Sequence, residues 1–305
     1  MINIAVAFVI FNRPEATERS FQKIRNARPE HLFVISDAAR PHRDGEFERV
    51  ERSRYITENI DWNCDVHRIY ADQNMGCGRR ISSGITWAMT LVDRLIVLED
   101  DCVASESFFP FCAELLDHYE HDERVMAISG NNFQQGRKRS QASYYFSKYP
   151  HCWGWATWRR AWNRFDLKIP DWPAFRDSGQ LRTFCDTPSE LSYWMAIFDG
   201  VHSGRSASWA YPWTLNCWMN HGLTVLPEIN LVSNIGFGSH ATHTKGLSSY
   251  ANLSHENLES VTHPRFVHRN YEADRFSDAL LFSGRRRGGP LKKLKNTLRS
   301  YFHAA

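Results

Sequence analysis

Three consecutive carboxylates, Glu99, Asp100 and Asp101, follow directly after the apolar run Leu95–Leu98. The run has the length and composition of a short strand that is buried on both faces. Carboxylates at the carboxyl end of such a strand lie where open α/β sheets bind their ligands. Oxygen ligands favour a hard divalent cation, Mg²⁺ or Mn²⁺, which could hold a diphosphate and stabilise it as a leaving group. The alternative is a solvated acidic turn, because acidic residues are common in turns.

Polar side chains also follow the predicted strands that precede this run. They are, in chain order, Arg13, Asp37, Asn74 and Arg79. Because the carboxyl ends of parallel strands share one edge of a sheet, we expect these side chains to meet the acidic triplet. Arg13, beside a helix N-terminus, could bind phosphate, and Asp37 could accept a hydrogen bond from a base or ribose. Taken singly, Arg13 could be a surface residue and Asp37 a turn residue.

Strands and helices are predicted to alternate over the first hundred residues. The predicted strands are Ile4–Phe11, Leu32–Ser36, Cys64–Tyr70 and Leu95–Leu98, and the predicted helices are Pro14 to about Asn26, Glu46 to about Ile60, and one that ends near Val92. This pattern is typical of an α/β protein whose mostly parallel sheet is covered by helices on both faces. Further on, we predict a helix over Ser105–His121 and strands over Val125–Gly130, Tyr144–Phe146 and Thr224–Pro227.

Length and composition favour a soluble globular protein with one large domain or two closely joined subdomains. The chain has 305 residues, of which 42% are hydrophobic and 23% are charged. Its seven cysteines show no zinc-type spacing, which favours free thiols in a reducing compartment. The apolar opening lacks a basic region and a cleavage site, and the chain lacks a run of about 18 apolar residues. We therefore expect neither a signal peptide nor a membrane-spanning helix, and a cytoplasmic location.

The basic residues are unevenly distributed. Residues 285–305 carry seven basic side chains and no acidic one, which leaves 30 basic against 34 acidic residues in the remainder. Such a tail could lie on an anionic membrane surface, and the alternative is a solvated terminus. Because the chain outside the tail is net acidic, nucleic-acid binding is not expected.

Six motifs occur in an order that resembles glycosyltransferases of the GT-A fold. They are Asn12–Thr17, Ile35–Asp37, Asn74–Gly76, Glu99–Asp101, Gly154–Trp158 and Asn230–Phe237. The resemblance is closest to the N-acetylglucosaminyltransferase I type and its bacterial hemolysin-like relatives, and it covers about residues 3–245. It implies a Rossmann-like nucleotide-sugar-binding half over 1–102, a fused acceptor-binding half over 103–245 and a C-terminal extension over 246–305.

The resemblance also implies roles for the residues in these motifs. Asp101 would contact Mn²⁺ or Mg²⁺, Asp100 the donor ribose and sugar, and Arg13 and Asp37 the pyrophosphate and the base. Glu99, Asn74 and Arg79 complete the expected donor-binding set. The expected donor is a nucleotide sugar, with a UDP-sugar foremost. The expected acceptor is a hydroxyl group of an envelope glycan or a glycolipid, and the expected stereochemistry is inverting.

The second half offers further candidates. Nine of the eleven tryptophans lie between Trp153 and Trp218. Trp155, Trp158 and Trp162 have helical spacing and favour core packing over sugar binding. Trp153, ahead of that predicted helix, is the candidate acceptor contact.

An inverting transfer also needs a general base. In the family the candidate base is a carboxylate in a Trp-Asp-Asp-Trp context, but Ala210 replaces the acid in the corresponding Trp209–Trp213. We therefore select Asp199, whose alternative is an ordinary acid at a helix end. His243, with His240 three residues before it, is a candidate metal ligand.

Two other functions stay open. A nucleotidyltransferase would share the sheet and the ion, but it usually has a Gly-rich loop after the first strand, and Asn12-Arg13-Pro14 does not supply one. The substitution at Ala210 and the basic tail also fit a catalytically impaired nucleotide-sugar-binding protein or a membrane-active protein. Donor binding without turnover would indicate the former.

Overall fold

The computed structural model describes residues 2–236 and 253–283 and has an α/β fold with a large, mostly parallel sheet. The strands are β1 (Ala5–Ile10), β2 (His31–Ser36), β3 (Asp65–Tyr70), β4 (Arg94–Glu99), β5 (Cys102–Ala104), β6 (Val125–Ser129), β7 (Tyr144–Ser147), β8 (Trp155–Trp158), β9 (Leu223–Pro227) and β10 (Val232–Asn234). The helices are α1 (Pro14–Ala27), α2 (Glu46–Ile56), α3 (Cys77–Leu91), α4 (Phe108–His118), α5 (Arg159–Trp162), α6 (Trp172–Asp177), α7 (Leu181–Phe184), α8 (Pro188–His202), α9 (Ala210–Met219) and α10 (Tyr271–Leu281).

The main sheet has eight strands in the order β3-β2-β1-β4-β8-β6-β9-β7. The pairs β3–β2, β2–β1, β1–β4 and β6–β9 are parallel, whereas β8 and β7 run antiparallel to their neighbours. β10 and β5 form a separate antiparallel pair. The predicted fold class is thus confirmed, and the sheet is continuous between strands from residues 1–102 and strands from the following segment.

The first four strands lie where the sequence predicts them. β1 is buried along its whole length and β4 over Leu95–Leu98, as expected for strands covered on both faces. α1 begins with Pro14, whose fixed φ and missing N–H suit the first helical position. α2 ends at Ile56 and α4 begins at Phe108, so both helices are shorter than predicted.

The segment Trp155–Trp158 corrects one prediction, because it is strand β8 and not the start of a helix. It pairs with β4 through Val97 and with β6 through Ile128, and thereby fills the space between those two strands. Residues three apart in a strand face opposite sides of the sheet. Trp155 accordingly packs against Trp209, at 5.3 Å between ring centroids, whereas the Trp158 indole donates to the Leu116 carbonyl of α4.

The tryptophan-rich second half forms an aromatic core against the sheet. Trp155, Trp162, Trp209 and Trp213 are all buried, and Trp213 lies 5.7 Å from Trp155 and 5.3 Å from Trp162 between ring centroids. Burial of aromatic rings of this size contributes strongly to the hydrophobic free energy. The interpretation of the tryptophan stripe as core packing therefore fits the observed contacts.

A buried ion pair joins β7 and α8 beside this core. Lys148 follows β7 and Glu190 lies in the first turn of α8, and their side chains are 3% and 1% exposed. The Lys148 Nζ atom lies 2.5 Å from Glu190 Oε1 and donates to the Phe184 carbonyl at 2.5 Å. The Tyr149 hydroxyl and the Asp186 N–H also donate to the Glu190 carboxylate. Protein groups thus compensate both charges of this pair.

His151 is buried next to Phe133, and its Nε2 atom has no hydrogen-bond partner among the described residues. Burial lowers the pKa of its imidazole to about 3, below the value of about 6.5 that is usual for an unfolded chain. The unfolded state binds a proton at His151 between these two values. The contribution of the neutral imidazole to the free energy of unfolding is therefore fully present above about pH 6.5, and it is lost as the pH falls towards 3.

We expect His151→Phe to flatten the pH dependence of the free energy of unfolding between pH 6 and 4. The slope should decrease by up to about 1.4 kcal/mol per pH unit, because the substituted side chain cannot take up a proton. Denaturant unfolding at each pH measures this slope. His202→Phe, at an exposed position on α8, is the matched control for replacing a histidine with phenylalanine. An unchanged slope in His151→Phe would show that His151 does not titrate in this way.

Some predictions fall on residues outside the described ranges. They concern His240, His243 and the basic tail 285–305, whose roles stay predictions. Among residues 2–236 and 253–283, none of the helices combines the length and apolar composition needed to cross a bilayer.

Candidate functional site

The carboxyl ends of the parallel strands lie level at one edge of the sheet. In the strand registers, Val9 of β1 is opposite Glu99 of β4, Ile10 is opposite Ser36 of β2, and Ser36 is opposite Tyr70 of β3. The loops that follow these strands therefore emerge side by side, as the sequence predicts. This edge is where open α/β sheets bind ligands.

Arg13 and two of the three carboxylates meet at this edge. Arg13 donates from Nη2 to Asp100 Oδ1 at 2.5 Å and from Nη1 to Asp101 Oδ2 at 2.7 Å. The Phe11 N–H donates to the second Asp100 oxygen at 3.1 Å. The two carboxylates are buried, whereas the Arg13 side chain is 24% exposed. Arg13 thus bridges the two carboxylates and is the most exposed of the three side chains.

Residues after β10 cover the same carboxylates. The Asn234 amide donates to Asp101 Oδ1 at 3.2 Å, and the Ile235 N–H donates to the Asp101 carbonyl at 2.8 Å. A Cβ atom added to Gly236 would lie 2.1 Å from Asp101 Oδ2, so this position has no room for a side chain without a local shift. Asn234 belongs to one of the six sequence motifs, but its contact with Asp101 was not predicted.

The cluster carries more negative than positive charge. Burial, followed by repulsion from Asp101, raises the pKa of the Glu99 carboxyl to about 8, although Arg13 opposes the shift. Burial also raises the pKa of Asp100, against the attraction of Arg13. Three carboxyl groups therefore share one guanidinium in a place where water cannot stabilise them fully.

This donor set fits a hard divalent cation. Asp100 and Asp101 offer carboxylate oxygens, the ligands that Mg²⁺ and Mn²⁺ prefer. Each of their four oxygens already accepts a hydrogen bond or lies near a thiol, but a carboxylate oxygen has two lone pairs and can take a further ligand. A cation would also offset the excess negative charge next to Glu99.

Asp37 connects the loops that follow β2 and β3. Its carboxylate accepts from the N–H groups of Ala38, Met75 and Gly76 at distances of 2.9–3.2 Å. Asn74 donates to the Ala38 carbonyl at 2.7 Å. Gly76 has a φ of +77°, a value that favours glycine and allows its N–H to reach Asp37. Asp37 thus holds the loop in front of α3, and its expected contact with a nucleotide stays a prediction.

The first turn of α3 contacts the segment before α9. Arg79 is exposed there, whereas a Cβ atom on the neighbouring Gly78 would lie 2.1 Å from the Ala207 carbonyl oxygen. This close approach gives Gly78 a reason to lack a side chain. The helix that carries Arg79 is therefore packed against the second half of the chain.

A buried polar cluster next to Arg13 was not predicted from the sequence. Glu46 of α2 accepts from the Asn12 amide at 2.7 Å and from the Arg40 guanidinium at 2.5 and 3.0 Å. Burial would raise the pKa of Glu46, but the hydrogen bonds from Arg40 and Asn12 outweigh burial and lower it to about 2. The acid thus connects the loop after β1, which contains Arg13, to the loop after β2. A glutamate at a helix start gives no sequence signal for such burial.

Trp153, the candidate acceptor contact, and Asp199, the candidate general base, lie in different surroundings. Trp153 is 7% exposed and packs at 5.1 Å from Phe133 between ring centroids, which leaves little of its ring for an acceptor. Asp199 on α8 accepts from the Trp172 indole at 2.9 Å and from Arg176 at 3.2 Å. No described hydrogen bond or ion pair of Asp199 joins it to the Arg13 cluster. The roles of both residues stay predictions.

Comparison with known proteins gives partial structural matches. Neither a protein-family model nor a curated protein matches the chain. Among solved structures, the mannosyltransferase PcManGT from Pyrobaculum calidifontis, in complex with GDP-Man and Mn²⁺, is 13% identical at a TM-score of 0.36 over 54% of this chain and 48% of that chain. S. aureus TarS 1–349 is 12% identical at 0.34 over 52% and 47%. UTP-bound UGPase from Acinetobacter baumannii is 8% identical at 0.35 over 74% and 86%. The chain thus spans about half the length of the first two proteins.

Proposed function

We propose that this protein is a metal-dependent glycosyltransferase of GT-A type that moves a sugar from a nucleotide-sugar donor to a hydroxyl acceptor with inversion. The main support for the proposal is the pair of hydrogen bonds from Arg13 to Asp100 and Asp101 at the carboxyl edge of the parallel sheet. A buried acidic strand end with one guanidinium suits an anionic ligand only if further positive charge arrives with it. A nucleotide diphosphate bound as its metal complex meets that condition.

The residues of the edge would divide the donor between them. Asp101 would hold Mn²⁺ or Mg²⁺, which supplies positive charge to the leaving diphosphate. Arg13 would contribute a second positive charge from the N-terminus of α1, where phosphate binding is favourable. Asp100 and Glu99 would face the ribose and the donor sugar. His243 is the proposed additional metal ligand.

The loops after β2 and β3 would accept the nucleotide. Asp37 and Asn74 keep these loops together through the hydrogen bonds to Met75, Gly76 and Ala38. A loop fixed in this way loses little conformational entropy when a ligand binds. Arg79 is exposed on the first turn of α3 and is proposed to contact the phosphates or the base of a UDP-sugar.

The acceptor side of the proposal depends on residues of the second half. Asp199 is the proposed general base that removes the proton from the acceptor hydroxyl. Trp153 is the proposed contact to the acceptor, which we take to be an envelope glycan or a lipid-linked sugar. The basic tail 285–305 would then place the enzyme at the inner face of a membrane.

Calorimetric titration tests the donor site. We expect a nucleotide sugar to bind with Mn²⁺ or Mg²⁺ present and at least about tenfold more weakly after the metal is chelated, because the carboxylates repel a metal-free diphosphate. UDP-, GDP- and dTDP-sugars are compared with the corresponding nucleoside triphosphates. A preference for a triphosphate, with release of pyrophosphate when a sugar phosphate is added, would instead indicate a nucleotidyltransferase. Absence of nucleotide binding with either metal would overturn the proposal.

A further inference from the structure

A second group of metal-binding side chains lies at the opposite edge of the sheet. His31 begins β2, and Asp65 begins β3 with His67 two residues later. Within the described residues, their ligand atoms all lie within 4.8 Å of one another. The amino ends of parallel strands lie at the edge of the sheet away from Arg13 and Asp101. This group is therefore separate from the candidate donor site.

The strand register brings the three side chains onto one face. His31 is directly opposite Asp65, and Phe33 is directly opposite His67. Alternate residues of a strand point to the same side of the sheet, so His31, Asp65 and His67 share that side. The register of β2 and β3 thus fixes the group.

The distances already approach those of a metal site. Asp65 Oδ2 lies 3.0 Å from His67 Nε2 and 3.5 Å from His31 Nδ1. Two ligands of a tetrahedral zinc ion, each about 2.0–2.1 Å from the metal, lie about 3.3 Å apart. Both spacings are close to this value. An ion could therefore replace the direct contacts with small movements of three surface side chains.

Neighbouring rings hold one of the imidazoles in position. His67 stacks on Phe33 at 4.8 Å between ring centroids, and the Trp87 indole of α3 meets the His67 ring edge-on at 6.3 Å. The His67 ring thus has fixed packing on two sides, while Nε2 points to Asp65. Because a ligand fixed before binding loses little rotamer entropy, this arrangement favours metal affinity.

We propose that His31, Asp65 and His67 bind a divalent transition-metal ion, with Zn²⁺ as the first choice. A set of two imidazoles and one carboxylate binds zinc in preference to magnesium or calcium, which favour oxygen ligands. The fourth position would hold water, since the side chains are 30–61% exposed. The ion would join β3, the edge strand of the sheet, to β2. The site does not depend on the proposed transferase activity.

Zinc titration of the full chain, with any affinity tag removed, tests the site. We expect the wild type to bind one Zn²⁺ that is lost in His31→Ala and in Asp65→Asn and retained in Asp101→Asn. Affinity should fall by more than roughly 100-fold, because loss of a group that only supports a ligand already costs about 10–100-fold. Both substitutions are at partly exposed positions, and circular dichroism verifies that the variants fold. His202→Ala, an exposed histidine on α8, is the matched control.

Spectroscopy with Co²⁺ in place of Zn²⁺ gives an independent readout. The wild type should show the visible absorption of a cobalt ion with nitrogen ligands, and Asp65→Asn and His31→Ala should not. Zn²⁺ should also raise the melting temperature of the wild type and of His202→Ala but not of the two site variants. Equal zinc affinity in the wild type, His31→Ala and Asp65→Asn would overturn the proposal. So would zinc binding that is lost only in Asp101→Asn.

Discussion

Asp101→Asn is expected to lower the rate of sugar transfer or donor hydrolysis by roughly 10²–10³-fold, since a metal ion contributes several kcal/mol to stabilising a leaving group and each 1.4 kcal/mol is a factor of ten. The carboxamide has the same shape but carries no charge for the cation. Donor binding should weaken together with its metal dependence. Initial rates with the donor identified by calorimetry, measured over a range of Mn²⁺ concentrations, give the effect.

The fold should tolerate this substitution. Asp101 repels Glu99 and Asp100, and its removal relieves part of this repulsion while Arg13 keeps its bond to Asp100. The matched control is Asp61→Asn, because Asp61 also accepts hydrogen bonds from an arginine, Arg25, but at an exposed site. Wild-type rates in Asp101→Asn, with unchanged dependence on Mn²⁺, would exclude the proposed role of Asp101.

Lys148→Met is expected to lower the free energy of unfolding by about 3–5 kcal/mol, the usual cost of leaving one partner of a buried ion pair without its counter-charge. Glu190 would remain buried with only the Tyr149 hydroxyl and the Asp186 N–H donating to its carboxylate. The double variant Lys148→Met/Glu190→Gln should recover part of the loss, because the introduced carboxamide keeps a hydrogen-bond acceptor and carries no charge. Denaturant unfolding of the wild type, both single variants and the double variant gives the coupling energy.

An ion pair on the surface provides the comparison for this double-mutant cycle. Arg124 is paired with Asp122 at 2.6 Å, but the Arg124 side chain is 62% exposed. Arg124→Met should therefore cost at most about 1 kcal/mol. If the double variant were no more stable than Lys148→Met, an uncompensated charge on Glu190 would not be the source of the loss.

The strands that could be predicted are those whose sequence admits a single interpretation. β1, β2 and β4 are apolar runs of strand length, and each is followed by polar residues that end it. Trp155–Trp158 gave no such signal, because its spacing fits a helix as well as a strand. Its conformation is decided by the gap between β4 and β6, which only the assembled sheet creates.

The contacts of the candidate site likewise include some that the sequence predicts and some that it does not. That Arg13 meets the acidic triplet follows from the alternation of strands and helices, because parallel strands place their carboxyl ends together. The contact of Asn234 with Asp101 and the burial of Glu46 depend on tertiary packing between distant segments. Local sequence patterns hold no information about such contacts.

The position of β8 between β4 and β6 constrains the order in which the strands of the main sheet can pair during folding. β1 to β4 can pair as soon as the first hundred residues are available, but β6 has no neighbour towards β4 until residues 155–158 arrive. The Asn234 amide joins Asp101 across 133 residues of chain. Closing such long loops costs entropy that is recovered only when the last contacts form. We therefore expect the candidate donor site to be among the last features to form, and a partly synthesised chain would carry its acidic strand end without the residues that cover it.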